Sequence, residues 1–365
     1  MNITLVSEVD FKGSGYTNIS LPVSLALSQL GHRVTVLGLG YKGEEHMFPF
    51  PIVPVAKKNF YDVLAAMLHN LRLDGDRTDS VIVALDIPMQ LTMMEQLAKY
   101  DFNLYGIFPL EAPPLNFSWA AALGLLKQRF LLNRFGVEEF ARFGIESVYL
   151  PTYLDPTIWK LRVAGEKESV RDTIGVPKDA KVVTAIAENQ ERKNLGLMFE
   201  IVAQIPGLYL LLVTRRNTGV GWNIDDYLAD LKIQDRVFIF ERGLSISDLR
   251  ALVVAADVYL TTSKAEGLAF PVMEAMSIGV PVVAPDHTAL HEHLTDGRGY
   301  LFNHAFKYRD PFGNEFRYFA DLDGGVAAVQ RALESDNTEI IARARDYVEH
   351  CTLGPVAKVL SEHIG

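Results

Sequence analysis

The run Thr261-Thr262-Ser263-Lys264-Ala265-Glu266-Gly267-Leu268-Ala269-Phe270-Pro271-Val272-Met273-Glu274-Ala275-Met276 decides the fold. The apolar residues from Val258 to Thr261 read as a strand, and Pro271 marks the first turn of a helix, where a missing N–H costs no hydrogen bond. Strand, glycine-bearing loop and helix in that order place Glu266 at the carboxyl end of a strand and Glu274 about one turn into the helix. Unpaired amides at a helix N-terminus donate to ligand oxygens, and carboxylates accept hydrogen bonds from sugar hydroxyls. Taken singly, Glu266 also reads as a solvated loop carboxylate and Glu274 as a first-turn acid favoured by the helix dipole.

Outward from this run the same alternation continues in both directions. Downstream, Ser277-Ile278-Gly279-Val280-Pro281-Val282-Val283-Ala284 ends the helix and opens another strand. Upstream, apolar runs beginning at Lys181, Leu208 and Val237 alternate with helical patterns beginning at Leu195, Asp225 and Ile246. Strands alternating with helices imply a mostly parallel, doubly wound sheet with both faces covered. The first half repeats the pattern. A strand at Ile3–Val6, the loop Lys12-Gly13-Ser14-Gly15, a helix from Ile19 and a strand from Arg33 make a β-α-β unit. Further strands are expected near Ser80, Asn103 and Ser147, with helices over 60–71, 89–99 and 119–133. Prolines at both ends of Pro151-Thr152-Tyr153-Leu154-Asp155-Pro156 stop either element. The expected domains are therefore 1–155 and 156–346. An aromatic and basic segment, 302–319, reads as an insertion, and two helices follow, over 324–333 and 338–364, the latter broken near Gly354-Pro355.

Composition bounds the function. The chain has 365 residues, of which 49% are hydrophobic and 22% charged, the balance of a folded protein with room for two cores. Thirty-five basic against 45 acidic side chains give a net charge of -10, so no whole-molecule field draws it to nucleic acid or anionic lipid, although local patches are compatible with that charge. The single cysteine, Cys351, makes no intramolecular disulfide and no multi-thiolate metal site, which favours a cytoplasmic setting. Met1-Asn2-Ile3-Thr4-Leu5-Val6 lacks the features of a signal peptide. No run approaches about 18 apolar residues, and the apolar segment 117–132 is interrupted by Lys127 and Arg129, so association with a membrane surface stays open but spanning is not expected.

The segment from Glu266 to Met276 resembles the retaining family-4 glycosyltransferases of the GT-B fold, whose mark is E-G-x-x-x-P-x-x-E-A-M. Residues 277–284 are similar to that family's A-x-G-x-P-V-V-A continuation. The resemblance implies an α/β protein of two Rossmann-like domains facing a cleft, with a C-terminal helix within 347–365 returning to the first domain. It implies transfer of a hexose from a UDP- or GDP-sugar to a hydroxyl acceptor with retention of anomeric configuration. Carried over by position, Glu266 lies beside the donor sugar, the amides of Gly267, Leu268, Ala269 and Phe270 contact sugar hydroxyls or phosphate, and Glu274 holds the ribose hydroxyls.

A second segment, Ala187-Glu188-Asn189-Gln190-Glu191-Arg192-Lys193-Asn194, offers adjacent cations that can neutralise a diphosphate, Arg192 as a planar fork and Lys193 as a point charge. It resembles the family's E-P-R-K-N segment, which makes Arg192 and Lys193, with Glu266, the catalytic candidates. Ala187 stands where relatives often carry another Arg. In the first domain, Gly13 and Gly15 around Ser14 let a backbone approach a ligand, and in the resembling enzymes this loop faces the donor diphosphate. The loop is not G-x-G-x-x-G, and no acid follows the second strand, which disfavours an ordinary dinucleotide site. A histidine that relatives present near residues 107–115 is missing, leaving Asp86 and Glu111 as weaker acceptor candidates that also read as cap or loop carboxylates.

His287, His291 and His293 around Glu292 invite a metal reading, but their order is not H-E-x-x-H. Glu292 matches an acid of the family's loop, and neither a metal nor another cofactor is expected. The aromatics of 302–319 suit stacking on bases or sugars, subunit contact or ordinary packing. Rival functions are an epimerase or phosphorylase of the same architecture, a nucleic-acid glycosylating enzyme, and a non-enzymatic nucleotide-sugar-binding protein. The expected partners are a nucleotide sugar and a hydroxyl acceptor of unassigned identity.

Overall fold

The computed structural model describes residues 1–11, 15–55, 64, 68, 72–73, 76–311 and 313–364. The chain divides into two units, one of Met1–Tyr153, Gly313–Glu315 and Cys351–Gly365, the other of Leu154–Phe312 and Phe316–His350. The sequence places these limits at 155/156 and 347. Among the described residues, no helix is long and apolar enough to cross a membrane.

The strands of the first unit are β1 (Asn2–Glu8), β2 (Arg33–Leu39), β3 (Ile52–Val55), β4 (Arg72–Leu73), β5 (Asp76–Arg77), β6 (Ser80–Ala84), β7 (Asn103–Phe108), β8 (Gln128–Leu131) and β9 (Val148–Tyr149). Seven of them form one sheet in the order β3-β2-β1-β6-β7-β8-β9, while the two-residue strands β4 and β5 pair only with each other. Every pairing in the large sheet is parallel, and β6 is buried along its whole length, as a strand with helices on both faces must be. The helix Leu353–His363 packs on the helix Thr17–Gln29 of the same unit.

The second unit contributes β10 (Lys181–Ile186), β11 (Leu208–Thr214), β12 (Val237–Glu241), β13 (Val258–Leu260), β14 (Val282–Pro285) and β15 (Tyr300–Phe302). They make a six-stranded parallel sheet in the order β12-β11-β10-β13-β14-β15. The chain winds outward from β10 to β12, then returns to lay β13 on the other side of β10. That reversal makes the carboxyl ends of β10 and β13 the topological switch point, where open α/β sheets bind ligands. Val183, Leu210, Leu212, Val258, Leu260 and Val283 from adjacent strands are buried in one apolar cluster with Phe199 and Ile201 of the helix Leu195–Gln204, so the strand ends stand on a rigid base.

One sequence expectation changes and two gain detail. The segment 119–133 is not one helix: a short helical stretch ends at Leu123, and Gln128–Leu131 becomes β8, with Phe130 and Leu131 fully buried in the sheet. Four residues, two half-buried and polar and then two buried and apolar, are too few to show the alternation that distinguishes a strand from a helix. The insertion is an antiparallel hairpin of β16 (His304–Arg309) and β17 (Phe316–Ala320), in which Phe306 faces Phe319 and Lys307 faces Tyr318. The C-terminal break falls at 350–352, ahead of Gly354-Pro355, because Pro355 sits in the first turn of Leu353–His363, where its missing N–H is harmless. The expected helix over 60–71 lies largely outside the described residues.

Candidate functional site

The loop after β10 and the loop after β13 are sewn together before any side-chain charge is considered. The Thr262 hydroxyl bonds the carbonyls of Lys193 and Asn194 at 3.2 and 3.0 Å, and the Lys264 N–H donates to the Arg192 carbonyl at 2.8 Å. Adjacent parallel strands bring these loops side by side although about seventy residues of sequence separate them. On this frame Lys193 Nζ reaches Glu266 Oε1 at 2.5 Å, while Arg192 Nη1 lies 3.2 Å from Glu266 Oε2 and 2.7 Å from the Ala265 carbonyl. Glu266 is buried, with 7% exposure. Burial alone would raise its pKa, but the charges of Lys193 and Arg192 and hydrogen bonds from Lys193 and Ser263 outweigh it and hold the carboxyl at about 2. The triad is therefore an ionised, mutually compensated cluster at the switch point.

The cluster has a built support. Lys264 is buried, pairs with Glu191 and lies 4.2 Å from the centroid of Phe319, so one face of the hairpin covers its ammonium. Asn189 is fully buried, donates to the carbonyls of Arg216 and Trp222 at 3.2 and 2.9 Å, and accepts the Trp222 N–H at 2.9 Å. This fixes the approach to Glu191 and demands a glycine at 221, since a Cβ there would stand 2.1 Å from Asn189 Oδ1 and 2.4 Å from its carbonyl oxygen. Glu188, on the same loop, takes salt bridges from Arg242 at 2.6 Å and Arg215 at 3.2 Å.

Glu274 sits in the helix Phe270–Ile278, which starts at Ala269 with Pro271 in its first turn. Its side chain is buried at 3% exposure and has no hydrogen-bond or ion-pair partner among the described residues. Burial raises its pKa to about 8. The intervening loop is held from outside: His293 Nε2 lies 2.6 Å from the Leu268 carbonyl, and His293 Nδ1 lies 3.1 Å from the Tyr347 hydroxyl. A carbonyl only accepts, so Nε2 carries the proton, consistent with burial lowering this imidazole to about 4 and keeping it neutral. His287 stacks on Tyr318 at 4.6 Å, and His291 meets Asp286 at 2.5 Å. The three histidines thus serve three separate contacts.

The sequence-derived residues fall in two places. Arg192, Lys193, Glu266 and the loop from Gly267 to Phe270 come together with Glu274 in the second unit. In the first unit Asp86 precedes the helix Ile87–Leu97 without capping it through its side chain; instead it accepts the Tyr16 hydroxyl. Burial, Asp86, Glu111 and Glu8 together hold Tyr16 well above its ordinary pKa, which groups both acceptor candidates around one phenol. Gly15 has open space where a Cβ would stand, and Gly13 and Ser14 lie outside the described residues. Sequence reasoning missed Asn189, Tyr16, Thr288 and the role of His293. Only the polar Asn189, set between an apolar strand and a charged run, offered any signal.

Known proteins resemble this chain in part of its sequence and in its fold. Residues 180–308 match the family model of glycosyl transferases group 1. A lipopolysaccharide core biosynthesis glycosyltransferase of Rhizobium meliloti is 31% identical over 134 residues, 36% of this chain and 37% of that protein. A D-inositol 3-phosphate glycosyltransferase of Mycobacterium bovis is 30% identical over 137 residues, 36% of this chain and 28% of that protein. The matches thus span about a third of these relatives' length. Among solved structures, sucrose-phosphate synthase from Thermosynechococcus elongatus superposes with a TM-score of 0.77 at 14% identity, covering 99% of this chain and 98% of that one. HepE of Anabaena, solved with UDP-glucose, gives 0.75 at 15% identity, covering 99% and 98%. The lipopolysaccharide glycosyltransferase WaaG gives 0.73 at 14% identity over the whole of both chains. The fold is GT-B.

Proposed function

We propose that this chain, a GT-B protein carrying a glycosyl transferases group 1 domain, transfers a hexose from a UDP- or GDP-sugar to a hydroxyl acceptor with retention of configuration. The observation that carries this reading is the buried cluster of Lys193, Arg192 and Glu266 at the carboxyl ends of β10 and β13. Two preorganised cations at that point stabilise charge that develops on a departing diphosphate, and they stabilise it more strongly because the site is buried. Glu274, buried and without a partner among the described residues, accepts the ribose hydroxyls, and the amides of Gly267, Leu268, Ala269 and Phe270 meet hexose hydroxyls or phosphate. HepE and its UDP-glucose complex support a nucleotide-sugar donor. In the first unit, Asp86, Glu111 and the backbone of Gly13, Ser14 and Gly15 are the candidates for substrate contact.

In the reaction the bond from the anomeric carbon to the diphosphate oxygen breaks, and the acceptor oxygen bonds the same face of that carbon. The acceptor's proton passes to the leaving phosphate oxygen. The products are a nucleoside diphosphate and a glycoside of unchanged anomeric configuration. Glu266, ionised and bound by two cations, is suited to orient the sugar and hold Lys193 and Arg192 in place. The leaving group therefore serves as the base.

The test is a thermal-shift panel of UDP, GDP, ADP and TDP with their hexose derivatives, with and without EDTA, followed by NMR of the product anomer. A ligand that binds only the native state raises the midpoint by mass action. Stabilisation by one nucleotide family, unaffected by EDTA, and a product of retained configuration are expected. An inverted product, or phosphate-dependent release of sugar 1-phosphate, would overturn the proposal.

A further inference from the structure

Asn194, Ala269 and Thr288, three residues other than glycine with a left-handed backbone, all border the Glu266 cluster, at φ of 53°, 57° and 50°. Asn adopts that conformation readily and Ala carries only a methyl. Thr288 is β-branched, and for such a side chain this region is an outlier that persists only where surrounding structure enforces it. What enforces it is visible in its partners. Thr288 Oγ1 accepts the Glu266 N–H at 3.1 Å, and the next residue, Ala289, donates its own N–H to the Glu266 carbonyl at 3.2 Å. Consecutive residues thus grip both main-chain groups of Glu266.

The hydroxyl is itself oriented. Besides the Glu266 N–H, Oγ1 shares a hydrogen bond with His287 Nδ1, 3.1 Å away, whose direction the imidazole tautomer sets. His287 is buried and its ring is clamped flat against Tyr318, with 15° between the planes. Burial, reinforced by His304, lowers its pKa to about 4 and leaves the imidazole neutral.

We propose that Thr288 is a positioning residue: through its hydroxyl, oriented by His287, it fixes the Glu266 backbone and so the register of the carboxylate against Lys193, Arg192 and the donor hexose. This rests on the reading of Glu266 as the donor-sugar carboxylate. The strained backbone at 288 is what lets one side chain meet an amide on a neighbouring loop while Ala289 reaches the same residue's carbonyl.

The experiment uses the full chain with Thr288→Val, Thr288→Ser and Thr288→Gly, UDP-glucose and GDP-mannose as donor probes, and hydrogen exchange of the Glu266 amide as a readout independent of activity. Thr288→Val keeps the shape and loses the hydroxyl. It is expected to lower protection of the Glu266 amide about tenfold and kcat by a similar factor, with donor KM within about twofold. Thr288→Ser restores both to within about twofold of the parent. Thr288→Gly relieves the backbone yet loses protection and kcat as Val does, which ties both losses to the hydroxyl and not to the strained backbone. Unchanged amide protection in the Val and Gly variants, or unchanged kcat in both, would overturn the proposal. A parent chain that turns over neither donor, while its Glu266 amide still depends on Thr288, would overturn the transferase reading and leave the grip on Glu266 standing.

Discussion

Glu266, in the loop after β13, and Glu274, in the helix that follows, are comparably buried, yet their electrostatics run in opposite directions. The loop carboxylate is surrounded by Lys193 and Arg192 and sits at a pKa of about 2; the helix carboxylate has no partner among the described residues and rises to about 8. Desolvation opposes charge on both. The difference lies in what the chain itself provides: the loop carboxylate is completed by cations that follow β10, whereas the helix carboxyl is buried with no partner among the described residues. A buried ion pair is weak evidence for stability, because dehydrating both charges offsets much of their attraction. Holding two cations ready is better understood as preorganisation of a site than as support for the fold.

Lys193 is where this contrast breaks first. Lys193→Ala is expected to lower kcat by about 100- to 1,000-fold, the usual cost of removing a preorganised donor from a developing oxyanion, and steady-state kinetics with the donor found by thermal shift measure it. Unchanged turnover would remove Lys193 from the leaving-group role. The next largest effect falls on the other carboxyl group: Glu274→Gln should raise donor KM by up to about tenfold with a much smaller change in kcat, since an ordinary hydrogen bond is worth about 0.5–1.5 kcal/mol. A fall in kcat at constant KM would instead place Glu274 in the chemistry.

The two carboxylates also differ without ligand. Glu274 has a folded-state pKa raised above its ordinary 4.5, so its contribution is fully present below the unfolded value and is lost as pH rises towards about 8. Glu266 has a depressed pKa, so its contribution is present above the unfolded value and disappears as pH falls through about 2. Urea unfolding between pH 5 and 8.5 should therefore show a decline in stability that Glu274→Gln flattens and Glu266→Gln leaves in place. The smallest effect is expected at His293. His293→Ala frees the Leu268 carbonyl and should reduce donor affinity about threefold by calorimetry, about the worth of one neutral hydrogen bond.

How much of this was legible in the sequence depended on the range of the signal. Five strands of the second sheet were plain because their apolar runs are bounded by glycine, proline or charge, and Pro271 together with Gly279 marked the helix that carries Glu274, whereas the three-residue β15 went unread. The meeting of Lys193 with Glu266 was legible only through resemblance, because composition says nothing about β13 lying beside β10. Thr288 was hidden for a different reason: its importance is a backbone conformation that a threonine does not advertise. Likewise, the Tyr16–Asp86 contact joins the start of one helix to the end of β6, a pairing set by the sheet order. The strand at Gln128–Leu131 was missed because four residues, two polar and then two apolar, are too few to show the period that separates strand from helix.

The hairpin of β16 and β17 bears on modularity. Phe319 covers the buried Lys264 ammonium, the Tyr318 N–H donates to the Lys264 carbonyl at 2.9 Å, and the Tyr318 ring supports His287. Excising this segment, as one might when trimming a scaffold to its minimal catalytic piece, would strip the backing from both loops that converge on Glu266. A graft that carries the glutamate motif to another chain must therefore take this hairpin with it, and not merely Thr261 to Met276.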